Sequence, residues 1–173
     1  MTGINVIMFY SNIIFDKGTD LSNETITAMV GLVFFISASS GMLLLTKFGR
    51  RTIMLFCLFS MSIVLFMLGI SGISGHSTLM VVFTMIFIVL FGFGPGPVTW
   101  LYMAEIMQDK AFSIGALINW LGCLIVSAVI PGIIERIGHD NIGWIFIVLG
   151  ILTFMSFIYA QLFMLETRGK SQI

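Results

Sequence analysis

Gly94-Pro95-Gly96-Pro97-Val98-Thr99-Trp100 lies inside an uncharged apolar run that extends from Leu79 to Ala104. Proline lacks an N–H and its ring collides with the carbonyl four residues back. Glycine is the poorest helix former after proline. The stretch therefore predicts a helix broken in the middle of an apolar segment. In a bilayer an unwound backbone is tolerated only where it is buried in protein or lines a water-filled cavity. The break marks either a tight helix–helix contact or a substrate pathway, and interrupted helices build many transporter binding sites.

Composition puts this run in a membrane. The chain has 173 residues, 58% of them hydrophobic and 9% charged, with mean hydropathy +1.11. A soluble domain carries roughly 25% charged residues. The charges cluster at 16–24, 47–51, 105–110, 135–140 and 166–170. Between them lie runs long enough to cross a hydrocarbon core of ~30 Å, which takes ~20 helical residues. Ile26–Thr46, Thr52–Ile70, Leu79–Ala104, Ala111–Ile134 and Asn141–Leu165 read as full spans. Ser71–Thr78 reads as the turn that divides the long uncharged stretch Thr52–Ala104. Met1–Phe15 reads as a further span lacking its first turn or two. It has no basic n-region, so a cleaved signal peptide is not expected. Residues 1–173 form a single membrane domain.

Lysine and arginine set the orientation. With alternating spans, Lys47, Arg50, Arg51, Lys110, Arg168 and Lys170 share one side, and Lys17 and Arg136 the other. The first side is then cytoplasmic, and so are both termini. The outer loops are 16–25, 71–78 and 135–140. Asn23-Glu24-Thr25 in the first is a glycosylation sequon on the correct side. Cys57 and Cys123 lie in different spans and read as reduced, apolar side chains.

Within the spans, Ser37, Ser39, Ser40 and Gly41 offer a small-residue face for close packing. Gly69, Gly72 and Gly75 read as a helix end running into a turn. Asn119-Trp120 sits deep in its span, where an amide is costly unless it bonds a neighbouring helix or a ligand. Trp100 and Trp120 are packing residues or site residues. No carboxylate, Lys or Arg lies deep in any span. Paired carboxylates, a metal-ligand cluster and a nucleophile–base constellation are all lacking, so neither an enzyme nor a metal or cofactor is expected. No basic stripe is present for nucleic acid. The break signals Gly3-Ile4-Asn5 and Gly94–Pro97 open successive triplets of spans, a pattern of carriers built from inverted repeats.

Several motifs resemble one family. Thr2-Gly3-Ile4-Asn5, with Phe9-Tyr10-Ser11 and Ile14-Phe15, resembles the seventh helix of the sugar porters, the glucose-transporter-like branch of the major facilitator superfamily. Gly49-Arg50-Arg51 resembles their basic loop between helices eight and nine. Gly94-Pro95-Gly96-Pro97, then Trp100 and Ala104-Glu105, resembles the tenth helix, and Asn119-Trp120 the eleventh. Glu166-Thr167-Arg168-Gly169-Lys170 is similar to the motif after the twelfth, with Leu165 where a proline would stand. The resemblance implies an all-α membrane protein: six transmembrane helices as two inverted three-helix repeats, half of a twelve-helix fold. Only the C-terminal six helices are covered, so the chain is expected to be a fragment, with Met1 an internal methionine or a start chosen by a gene model. The paired glutamines that precede this point in the family are absent.

The resemblance also implies a site. Asn5 would bond sugar hydroxyls, Trp100 would line the cavity near the break, and Asn119 and Trp120 would form another wall. Amides serve hydroxyls as both donor and acceptor, and Trp offers an apolar face with one N–H. Tyr10 with Gly94, Pro95, Gly96 and Pro97 would gate the cavity. Arg50, Arg51, Glu105 and Glu166 would form a cytoplasmic charge network that breaks during alternating access; for the two arginines, topology signal and lipid-phosphate contact are the simpler reading. Two positions depart from the pattern. Phe34 stands where a sugar-binding Asn is frequent, and Gly92 where a Glu is frequent. The expected function is transport of a hexose-like sugar, facilitated or proton-coupled, by a plasma-membrane protein that works with an N-terminal six-helix half. A homodimer of half-transporters and a non-transporting sensor or degenerate remnant are the alternatives.

Overall fold

The computed structural model describes residues 3–8, 23–137 and 142–166. Helix α1 is a single turn at 4–8. It is followed by α2 (Asn23–Lys47), α3 (Arg50–Ile73), α4 (Ser77–Phe93), α5 (Pro95–Ile106), α6 (Asp109–Ile137) and α7 (Ile142–Phe163). Five segments are long and apolar enough to cross a membrane: Glu24–Lys47, Arg50–Ile73, Ser77–Ile106, Asp109–Ile133 and Ile142–Phe163. They agree with the five full spans expected from sequence to within a few residues at each end. The expected span Met1–Phe15 is described only over 3–8, and Tyr10, Lys17, Arg168 and Lys170 lie outside the described residues.

Several expected loops are helix instead. Arg50 and Arg51 form the first turn of α3, Asn23 opens α2, and Glu135 and Arg136 belong to α6. Pro131 sits inside α6 without ending it. Where water is scarce, a backbone satisfies its own polar groups best by staying helical, so helices run past the apolar residues that define them. The turn expected at 71–78 shrinks to Ser74–His76. There Gly75 takes φ +72. The His76 N–H bonds Ser71 O (3.1 Å) and the Gly75 N–H approaches Gly72 O (3.4 Å). This is the Schellman arrangement, and the left-handed residue it requires is the glycine.

α3 lies between α7 and α4, and α2 packs on α4. Both principal seams rest on glycine. A Cβ on Gly72 would stand 3.0 Å from Gly143 Cα, and one on Gly143 would strike the Gly69 carbonyl. Gly69 and Gly72 are thus an interhelical contact within α3, and only Gly75 makes the turn. On the other seam, a Cβ on Gly41 would stand 2.8 Å from the Gly92 and Phe93 carbonyls. With lipid tails as apolar as the side chains, close backbone approach is what holds such helices together. Of the small residues of α2, Ser37 and Gly41 meet this seam, while Ser39 is exposed. Ser37 returns its hydroxyl to Val33 O at 2.7 Å, so its polarity is met within its own helix.

Two buried clusters divide the bundle by height. Val6 and Ile7 of α1 join Ile26, Met61, Leu65, Phe87 and Phe146 in one. Leu45, Ile53, Cys57, Val98, Ala160 and Met164 form the other, at the end that carries Arg50. α6 is the least buried helix. It touches the rest through Val126, Ile130 and Ile133 and near α5.

Candidate functional site

The helix break is narrower than the sequence predicts. α4 ends at Phe93 and α5 begins at Pro95, with one residue, Gly94 (φ −121, ψ −92), between them. Gly94 still donates to Leu90 O (3.2 Å) and Val98 to Gly94 O (3.0 Å). The prolines fall at the first and third positions of α5. The first four N–H groups of a helix have no intrahelical acceptor, so neither proline removes a bond that α5 would have made. Thr99 returns its hydroxyl to Pro95 O (2.6 Å), in the first turn. Gly94 is pressed against α3: a Cβ there would lie 2.5 Å from both Cβ and Sγ of Cys57.

The residues expected to bind sugar lie on three helices. Asn5 is half-buried on α1, beside the buried Val6 and Ile7. Trp100, 38% exposed, stands a turn and a half beyond the break and packs its ring on Phe112 of α6 (centroids 6.3 Å, 57°). Asn119 is half-buried and Trp120 is 64% exposed on α6. The Trp100–Phe112 contact and the seat of Gly115 against Met103 join α5 to α6. Neither the Asn5 nor the Asn119 amide is hydrogen-bonded to another described residue. For Asn119 the interhelical-glue reading therefore has no bond to rest on among the described residues. An amide at this depth takes water, a ligand or a group from another helix as its partner.

The two departures are adjacent in space. Phe34 stacks on Phe91 across the α2–α4 seam (6.1 Å, 26°). A Cβ on Gly92 would meet Ser37 Cβ at 2.6 Å, so α2 occupies the space a larger residue would need.

At the end of the bundle near residue 50, the four residues expected in the charge network lie close together, with Arg50 and Glu105 ion-paired. Arg50 Nη2 and Nε donate to Glu105 Oε1 at 2.8 and 3.2 Å. Glu166 accepts the backbone N–H groups of Arg50 (3.0 Å, Oε1) and Arg51 (3.3 Å, Oε2). Arg51 Nη2 donates to the Gln161 carbonyl (2.8 Å). The last two contacts are reciprocal. α3 and α7 run antiparallel, so the carboxylate after α7 caps the positive end of α3, while Arg51 caps the negative end of α7. Gly49, the residue before α3, has no side chain to cap with. A Cβ there would fall on the Glu166 carboxylate. Sequence reasoning named the four charged residues and quoted Gly49 only as part of the basic motif, without a role; it missed Tyr102, whose hydroxyl accepts the Leu165 N–H (3.0 Å). The spacing of Tyr102 and Glu105, i and i+3 on one helix face, was the available signal.

The family model described as "Sugar (and other) transporter" matches residues 1–173. Among curated relatives, the facilitated trehalose transporter Tret1 of Apis mellifera ligustica is 29% identical over 182 residues, covering 98% of this chain and 36% of that protein. Tret1 of Culex quinquefasciatus is 30% identical over 184 residues, covering 99% and 35%. The chain thus spans about a third of the length of these relatives. Among solved structures, the major facilitator superfamily proton:xylose symporter XylE bound to 6-bromo-6-deoxy-D-glucose aligns with TM-score 0.85 at 24% identity, over 99% of this chain and 38% of that one. The inward-open xylose transporter XylE of E. coli aligns with TM-score 0.72 at 22% identity, over 99% and 41%. The fold is that of a major facilitator protein, and with its apolar helices the chain is an integral, multi-pass membrane protein.

Proposed function

We propose, because the chain belongs to the sugar (and other) transporter family, that it supplies the C-terminal six helices of a carrier that moves a hexose-like sugar across the membrane by alternating access. The family match over residues 1–173 carries this reading. The amides of Asn5 and Asn119, which bond no other described residue, support it, since a sugar hydroxyl both donates to and accepts from an amide. In this reading Trp100 and Trp120 give the sugar ring an apolar face, and Gly94–Pro97 with Tyr10 form the gate. α1–α3 and α4–α7 are the two inverted repeats. An N-terminal six-helix half covers the exposed faces of α2 and α6. Lys47, Arg50, Arg51 and Lys110 face the cytoplasm, as do both termini, and the membrane is the plasma membrane. Relatives named for facilitated trehalose transport and for proton:xylose symport leave either energy source available to this carrier.

The Phe34–Phe91 stack and Gly92 favour a second reading, a protein of this fold that no longer transports, because both replace polar contacts with apolar packing. Uptake of labelled glucose, xylose and trehalose by the intact protein in proteoliposomes separates the two. Transport predicts saturable uptake of at least one sugar and, for Asn119→Ala, a KM raised about fivefold, the worth of one hydrogen bond. Saturable uptake indifferent to Asn119 and Asn5 would sink the assigned site. No saturable uptake of any of the three would leave the second reading.

A further inference from the structure

We propose that Tyr102 is a positioning residue that ties the inner end of α5 to the Glu166 cap on α3. Leu165 lies two residues beyond the end of α7, and its N–H donates to the Tyr102 hydroxyl at 3.0 Å. Met164, just before it, still closes the last turn through Ala160 O (2.9 Å) and is buried in the lower core. Glu166, just after it, caps α3. Tyr102 thus grips the chain midway between an anchor in the core and the carboxylate that does the capping. One turn along the same face of α5, Glu105 holds the guanidinium of Arg50, the residue whose amide Glu166 receives.

α5 therefore meets a single junction from two sides: Glu105 takes the side chain of Arg50, and Tyr102 takes the backbone that presents Glu166. Moving this end of α5 away from α3 breaks the ion pair. It also pulls on the segment that presents the cap, so the contacts release together. Leu165 is itself exposed (61%), so its side chain does little to hold this segment, and the hydroxyl supplies the restraint. This coupling does not depend on what the protein carries, and its failure is separable from failure of the transport reading.

The test is residue-resolved amide hydrogen exchange on the intact protein in lipid nanodiscs, without substrate. Tyr102→Phe keeps the ring and removes only the acceptor. The expected result is faster exchange at Leu165 and, through the loosened cap, at the Arg50 and Arg51 amides, by about three- to tenfold for one lost hydrogen bond. In a Glu166→Gln background, Tyr102→Phe should add little at Arg50 and Arg51, because both act through one contact. A packing role for the ring alone predicts no change in Tyr102→Phe. Arg50 and Arg51 amides unchanged, whether or not Leu165 speeds up, would overturn the coupling, as would full additivity of the two substitutions.

Discussion

Gly49 shows how one missing Cβ permits a cap supplied from far along the chain. A serine or aspartate at this position would cap α3 locally. Glycine instead leaves room for Glu166, whose carboxylate accepts two backbone N–H groups. Gly49→Ala should push the carboxylate aside, since the obstructing atoms are the end of a flexible side chain. The cost is the loss of charge-assisted bonds, about 1–3 kcal/mol. A fall of several degrees in the thermal midpoint in detergent is expected, with little further fall when Glu166→Ala is added. A midpoint unmoved by Gly49→Ala would show that the cap contributes no stability.

Among elements, the α4–α5 break is held by its neighbours more than by its own sequence. α2 fixes α4 through the backbone contact of Gly41 with Gly92 and Phe93, and Cys57 of α3 fills the space beside Gly94. Gly94→Ala places a Cβ against a Cβ that cannot rotate away, an overpacking cost of about 1–3 kcal/mol. The expected outcome is a lower yield of monodisperse protein and a lower unfolding midpoint, partly restored by adding Cys57→Gly. Wild-type behaviour of Gly94→Ala would mean that α4 shifts freely on α3. The existence of this break was legible because proline and glycine act locally. Its size was not, because one displaced residue turns both prolines into first-turn residues, where they cost little. In the same way, hydropathy located the spans. It could not tell that Gly69 and Gly72 meet Gly143, since that pairing depends on α7 lying antiparallel on α3.

For the whole molecule, the two ends of the bundle face opposite sides of the bilayer. The Ser74–His76 turn lies at one end, and Phe48-Gly49 and Met107-Gln108 at the other. Single cysteines at Ser74 and Gln108 in a chain otherwise free of cysteine should react with a membrane-impermeant maleimide from opposite faces of intact cells, Ser74 from outside. Labelling of both from one face would overturn the topology. Of the candidate site, the residue types were readable from sequence and their partners were not. Glu105 and Glu166 are brought to Arg50 by contacts spanning 55 and 116 residues, beyond the reach of any local pattern. That separation bears on biogenesis. Synthesis at ~5–20 residues per second delivers Glu166 roughly ten seconds after Arg50 leaves the ribosome. Until then the amides of Arg50 and Arg51 lack the carboxylate that caps them in the finished fold. The leading end of α3 is therefore closed only after α7 has been made, so the cap is a late contact in the history of a helix that was inserted early.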